Sequence, residues 1–315
     1  MSTPRADLAD PTALAALGDL EIVARWVVDG FLTGLHRSPR RGFSAEFAEH
    51  RAYQPGDDLR YLDWRIAARA DRWVVKQFEE ETNLRAALVL DTSASMRWSG
   101  APGARLPKLA YAGRLCAALA LLLLRQRDAV GAVLVDGAVR DVIPPSAQRD
   151  QWRRVLAALS GADARHPRDG RERSAAALAG SAPALGLERA ARLVPRAGLI
   201  VLVSDLLTDV VPVRDALAAA RGAGHDVAVV QVLDPAERTF DLGVSDGRFE
   251  DPETGYAVSA SVDAVRDRYR EAMDAALATW QDVCRPLGVR YALATTDAPF
   301  GTALRAAFAA REARA

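Results

Sequence analysis

The chain has 315 residues, half of them hydrophobic, with 41 basic and 41 acidic side chains and a formal net charge of zero. That length suits one large domain or two smaller ones, and the apolar content excludes a disordered or solvating chain. Balanced charge gives no bulk signal for nucleic acid or anionic lipid. The skew towards arginine, with Lys76 and Lys108 the only lysines, resembles composition bias more than a binding surface.

The opening MSTPRADLADPTALAALGDL carries acidic residues and no continuous apolar run, so it does not read as a signal peptide. Over residues 12 to 36, Leu14, Leu17, Leu20, Ile22, Val23, Trp26 and Val27 recur at three-and-four spacing, which predicts an amphipathic helix ending in the basic run HRSPRRG. From Gly42 to Asn83 the pattern shortens around Phe43, Phe47, Tyr53, Tyr61, Trp64, Trp73 and Phe78, with the turn signal Gln54-Pro55-Gly56-Asp57-Asp58 in the middle. This predicts short strands and turns, a small β-rich subdomain in which Trp64 packs, Asp57 and Asp58 cap a turn, and Glu79, Glu80 and Glu81 form a solvated face.

From Arg85 onward, short runs of Val, Leu, Ala and Ile alternate with helical patterns. Strands are predicted at 86–91, 129–136, 198–205, 226–234 and 289–297, with a partner strand in AVRDVIP, and helices near 106–127, 211–222 and 262–286 and at the end of the chain. Continuously apolar strands separated by helices imply a doubly wound α/β domain with a mostly parallel sheet covered on both faces. The polar stretches 160–180 and 239–257 read as a mobile loop and a turn-rich connection. The predicted organisation is therefore 1–41, a helix and basic linker; 42–84, the β-rich segment; and 85–315, the α/β domain. Leu115 to Leu124 is too short to cross a bilayer and is bounded by Arg114 and Arg125, so no transmembrane segment is predicted. Cys116 and Cys284 sit in helical apolar patterns, which suits buried thiols in a reducing cytoplasm.

Ligands of open parallel sheets bind beyond the carboxyl ends of the strands. Here those ends read Asp91-Thr92-Ser93-Ala94-Ser95, Ser204-Asp205, Asp234-Pro235 and Thr296-Asp297. Carboxylates and hydroxyls without imidazole or thiolate are hard donors, which favour Mg²⁺, Mn²⁺ or Ca²⁺ over zinc. The alternative is that these residues cap the helices that follow. His36, His50, His166 and His225 are isolated and pair with no nucleophile.

Asp91-x-Ser93-x-Ser95 after an apolar strand resembles the metal-ion-dependent adhesion site of von Willebrand factor A domains. The preceding EFAEHRAYQPGDDLRYLDWRIAARADRWVVKQFEEETNL and the late GVRYALATTDAPFGTALRAAFAAR are similar to the bacterial domain-of-unknown-function family 58, whose members join such a segment to an A-type domain. The resemblance implies a von Willebrand factor A-like fold in which Asp91, Ser93 and Ser95 supply one metal loop, Asp205 another, and Ser181 after Gly180 stands where A domains usually offer Thr. Ser181 keeps the hydroxyl but lacks the stiffening β-branch, which implies weaker cation binding. It further implies Mg²⁺ held partly through water, a partner's carboxylate completing the shell, and a non-enzymatic adaptor role beside a MoxR-type AAA+ ATPase and its client. The chain has no G-x-x-x-x-G-K-[ST] loop, so nucleotide hydrolysis by that route would fall to the partner. Two other readings stand beside this one: a metal-free scaffold of the same fold, and an Mg²⁺-dependent phosphohydrolase using Asp91 as nucleophile. The latter needs a phosphate-holding lysine, and neither Lys76 nor Lys108 has a suitable sequence context.

Overall fold

The structure, a computed structural model, describes residues 46–54, 62–70, 73–79, 84–101, 103–162, 182–195 and 197–308. The helix expected over 12–36, nearly all of the loop expected over 160–180, Ser181, Asp57, Asp58, Glu80 and Glu81 lie outside these residues. The chain divides into two compact units, one of them Leu35–Asn83 and the other containing everything from Leu84 onward.

In the first unit, strand β1 (Glu46–Ala52) pairs antiparallel with β2 (Val74–Glu79), with a register shift between Phe47 and Glu49. Between them lies helix α1 (Trp64–Ala70), which corrects the expectation of strands and turns alone. Its sequence WRIAARA has three alanines and no Gly or Pro, and the buried Asp63 ahead of it accepts the Ile66 N–H at 3.2 Å, so the carboxylate caps the first turn. Trp64 is 59% exposed and meets Trp73 edge-on at 6.4 Å, so it forms a surface ring pair and does not pack inward as expected.

The second unit is a mixed α/β assembly around a mostly parallel sheet. Strand β3 (Arg85–Asp91) leads through a 3-10 turn at Ser95–Arg97 to α2 (Lys108–Arg125), then β4 (Ala129–Val135), β5 (Val139–Ser146) and α3 (Gln151–Gly161). After α4 (Ala182–Leu193) come β6 (Leu199–Ser204), α5 (Val210–Gly222), β7 (Asp226–Leu233) and the short α6 (Pro235–Thr239). A hairpin of β8 (Asp246–Glu250) and β9 (Ala257–Ser261) precedes α7 (Val262–Cys284), β10 (Arg290–Thr295) and α8 (Phe300–Phe308). The hairpin fills the stretch expected to be only turns, and α3 and α4 add to the helices that the apolar pattern predicts. Pro183 and Gly186 blur the periodicity of α4, although proline is tolerated in a first helical turn.

The six-stranded sheet runs β10-β7-β6-β3-β4-β5, parallel throughout except for the antiparallel edge strand β5. Alternation along β3 sends Leu88 and Leu90 to a face covered by α2, α3 and α8, and Ala87 and Val89 to a face covered by α4, α5 and the end of α7. Both faces are dry, which is why the strands read as unbroken apolar runs. Cys116 and Cys284 are buried free thiols, one in each layer. Among the described residues no helix is long and apolar enough to cross a membrane.

From β3 the chain moves outward to β4 and β5, then returns to the other side of β3 with β6 and continues to β7 and β10. The winding reverses between β3 and β6, so the loops after these two strands diverge and leave a crevice at their carboxyl ends. Asp91 and Asp205 stand there.

Close approach of α4 to the sheet rests on Gly186, where an added Cβ would lie 2.4 Å from Val89 Cγ1 and 3.0 Å from Val135 Cγ1. Gly186→Ala should therefore lower stability by about 1–3 kcal/mol through overpacking, although alanine is the better helix former by about 1 kcal/mol. Denaturant midpoints of the two proteins give the sign.

Candidate functional site

Asp91 ends β3 fully buried, and both of its oxygens are engaged. Oδ1 accepts the Ser93 N–H at 3.0 Å, which folds the chain into a tight turn, and Oδ2 accepts the Ser204 hydroxyl at 2.6 Å. Ser204 Oγ in turn accepts the Leu206 N–H at 2.9 Å, where Leu206 adopts φ 57°. The loop after β3 is pinned to the neighbouring strand by Thr92, whose hydroxyl donates to the Val135 carbonyl at 2.8 Å. Beyond it, Ser93 Oγ and Ser95 Oγ lie 3.2 Å apart.

Asp205, one residue past β6, is also buried. Its Oδ1 accepts the Leu207 N–H at 3.2 Å, and its carbonyl accepts from the Gln231 side chain at 2.8 Å. Its Oδ2 receives the Lys108 ammonium at 2.9 Å, and the same ammonium donates to Glu237 Oε1 in a short contact. Lys108 is the first residue of α2, wholly buried, so a helix start that looked unremarkable in sequence delivers a cation into the crevice. Glu237 is held by a capping box at α6: Asp234 Oδ1 accepts the Ala236 N–H at 2.8 Å while the Asp234 N–H donates to Glu237 Oε2 at 3.0 Å. Asp234 also receives the Gly100 N–H at 3.1 Å and Arg105 at 3.3 Å. A Cβ on Gly100 would fall 2.4 Å from Ala236 Cβ, so only glycine lets this loop reach the cap.

Two strand-end aspartates that look alike in sequence therefore differ in role. Asp234 is a satisfied cap with an arginine partner. Asp91 is buried, and its carboxylate accepts hydrogen bonds from a hydroxyl and an amide, neither of them charged. Burial first, and then the nearby Asp205 charge, push its carboxyl up to about 6, against the smaller opposing pull of the Ser204 and Ser93 hydrogen bonds. Burial alone would lower Lys108, but Asp205 and Glu237 outweigh it and hold the ammonium above its ordinary value. Glu237 is raised by burial, with Lys108 opposing.

Four of the predicted ligands, Asp91, Ser93, Ser95 and Asp205, gather at this edge; the fifth, Ser181, is outside the described residues. Among the described residues no group of three or more His, Cys, Asp or Glu converges as a ready metal cluster. The donor set fits a hard cation on the Asp91 side, where a buried carboxylate faces hydroxyls, while the Asp205 side already holds an ammonium. The sequence offers Ser204 as a strand-end hydroxyl and Lys108 as a helix start, but it singles out neither of them, nor Glu237, as part of the site. The Asp234-x-x-Glu237 spacing signalled the capping box, whereas nothing local to Lys108 revealed its burial.

Residues 49–279 match the family described as "Protein of unknown function DUF58", and the chain belongs to that family. It is 32% identical over 285 residues to "Uncharacterized protein Rv1480" of Mycobacterium tuberculosis strain H37Rv, covering 90% of this chain and 84% of the relative. "Uncharacterized protein Mb1516" of Mycobacterium bovis matches at the same identity and coverage. Among solved structures, an aerotolerance-related membrane protein from Bacteroides fragilis aligns with TM-score 0.44 and 17% identity over 71% of this chain and 96% of its own. BatB from Bacteroides thetaiotaomicron aligns with TM-score 0.42 and 16% identity over 68% and 91%.

Two consequences are measurable. A carboxyl raised from 3.8 to about 6 by folding keeps its proton in the native state while the unfolded chain has lost it. Stability is then fully present below about pH 4 and falls as pH rises through about 6, by on the order of 3 kcal/mol in metal-free buffer. Asp91→Asn should remove this slope, so the variant's stability relative to wild type grows from pH 4 to pH 7 in paired melts. Lys108→Met should cost about 3–5 kcal/mol, because Asp205 and Glu237 would remain buried without their cation. Chemical denaturation reads it directly, and a loss under about 1 kcal/mol would mean the pair relaxes into water.

Proposed function

We propose that this chain is a von Willebrand factor A-like interaction module that binds Mg²⁺ at its carboxyl edge and acts in the cytoplasm as a non-enzymatic adaptor beside a MoxR-type AAA+ ATPase and its client. The observation that supports it is the convergence of Asp91 with Ser93, Ser95 and Asp205 at the point where the sheet reverses its winding. Asp91, Ser93 and Ser95 would hold the ion, with Asp205 beside them and Ser204 fixing the Asp91 carboxylate. Bound Mg²⁺ supplies positive charge and exchangeable positions for oxygen ligands.

The surroundings favour binding over turnover. Trp98 is 37% exposed just past the 3-10 turn, and Leu207 and Val211 are 54% and 55% exposed beyond β6, so apolar side chains border a polar centre. Such a rim suits a protein surface that presents a carboxylate. A phosphohydrolase would need its lysine free for phosphate, yet the Lys108 ammonium is committed to Asp205 and Glu237. The same observation favours a second reading, a metal-free scaffold of this fold in which Lys108 supplies the charge that holds the strand ends together.

Calorimetric titration of EDTA-treated protein separates the two. The adaptor reading expects saturable Mg²⁺ binding and a rise in melting temperature that grows with the logarithm of Mg²⁺ concentration, both lost in Asp91→Ala. Identical responses of wild type and Asp91→Ala to millimolar Mg²⁺ leave the metal-free scaffold. Capture of a tagged ATPase in Mg²⁺ but not in EDTA would then identify the partner interaction.

A further inference from the structure

A hairpin from far along the chain returns to the candidate site. β8 and β9 pair from Asp246↔Ser261 to Glu250↔Ala257, and the segment between them is organised by one side chain. Asp251 Oδ1 accepts the Glu253 N–H at 2.8 Å, its Oδ2 accepts the Thr254 hydroxyl at 2.6 Å, and its carbonyl accepts the Gly255 N–H at 2.8 Å. The turn is thus preformed without using the Glu253 side chain. That carboxylate reaches across 158 residues of sequence to accept the Ser95 N–H at 2.9 Å.

The hairpin is anchored at its base, where the Val262 N–H bonds the Ser245 carbonyl, and again close to its turn, where Phe249 stacks on Phe240 at 5.4 Å and Phe240 on Tyr269 at 4.2 Å. The rest is thinly buried, with exposed positions along both strands and Tyr256 73% exposed. The part free to lift is therefore the exposed turn of residues 251–256 beyond Phe249. Ser95 is buried, and a charged carboxylate oxygen bonds its amide more strongly than a neutral acceptor would.

We propose that Glu253, presented by the Asp251 turn at the hairpin tip, is an internal carboxylate latch on the Asp91-Ser93-Ser95 loop that competes with an acidic partner for that face of the site. The latch rests on the interaction-module reading above and gives it a regulated form. With the tip down, the loop is served by the chain's own carboxylate; with the tip lifted, the Ser95 amide and the hydroxyls beside it are open to another protein's Asp or Glu. A latch closed about nine-tenths of the time lowers apparent partner affinity about ten-fold.

The test uses the full chain as wild type, Glu253→Gln and Glu253→Ala. Hydrogen exchange in EDTA reports the latch without any metal. Loss of a charge-assisted hydrogen bond should speed exchange of 92–97 and 251–256 about ten-fold or more in both variants while Leu199–Ser204 is unchanged, and exchange like wild type at those segments overturns the latch. Competition is read with Mn²⁺ as the probe ion and acetate as the probe carboxylate, by the water-proton relaxation of protein-bound Mn²⁺. In the variants acetate should quench the enhancement at about ten-fold lower concentration than in wild type, an effect a purely structural staple would not produce. Equal acetate dependence overturns the competition while leaving the metal reading intact. Absence of any Mn²⁺ enhancement in all three proteins overturns the metal reading and the competition with it, and the exchange result then decides the latch alone.

Discussion

A single ammonium joins three elements of the α/β unit. Lys108 opens α2, its partner Asp205 follows β6, and its other partner Glu237 belongs to the capping box of α6. Each of these charges is costly to remove from water, and each is retained because the others are there. Removing one member leaves the others buried without a partner, so breaking the triad is costly even where forming it adds little net stability. The triad ties the start of the helix after β3 to the residues that follow two other strands.

The crevice combines a neutralised half and an unneutralised half. On one side the Lys108 ammonium answers Asp205 and Glu237. On the other, Asp91 is buried against Ser204, Ser93 and the nearby Asp205 charge, and its carboxyl is raised accordingly. Burial first, and then the Asp205 charge, raise that carboxyl, and a bound cation would supply the positive charge that its neighbours do not. The apolar side chains of Trp98, Leu207 and Val211 and the hairpin carrying Glu253 all belong to the same unit as this centre. The chemistry of the edge and its access are thus set by separate segments of chain.

Local and long-range determinants divide the site cleanly. The Asp91-to-Ser93 turn and the Asp234-to-Glu237 capping box are each closed within four residues, so spacing alone makes them legible. The Ser204 hydroxyl on Asp91 and the Glu253 carboxylate on Ser95 bridge 113 and 158 residues. Such pairings follow from strand order and hairpin placement, which no local spacing carries.

By itself the sequence determined the alternating strands and helices of the α/β unit, because a sheet buried on both faces requires unbroken apolar runs, and it placed hard oxygen donors at the strand ends. It also determined that both cysteines lie inside apolar layers. The tertiary structure alone decided that Trp64 lies on the surface of a helix-containing segment and that Lys108 is a buried counter-ion. It also decided that of the strand-end aspartates, Asp91 and Asp205 meet while Asp234 merely caps. The reason is physical: periodicity and capping are governed by contacts within a few residues, whereas the neighbour of a buried charge is chosen by which strands lie side by side once the sheet has wound.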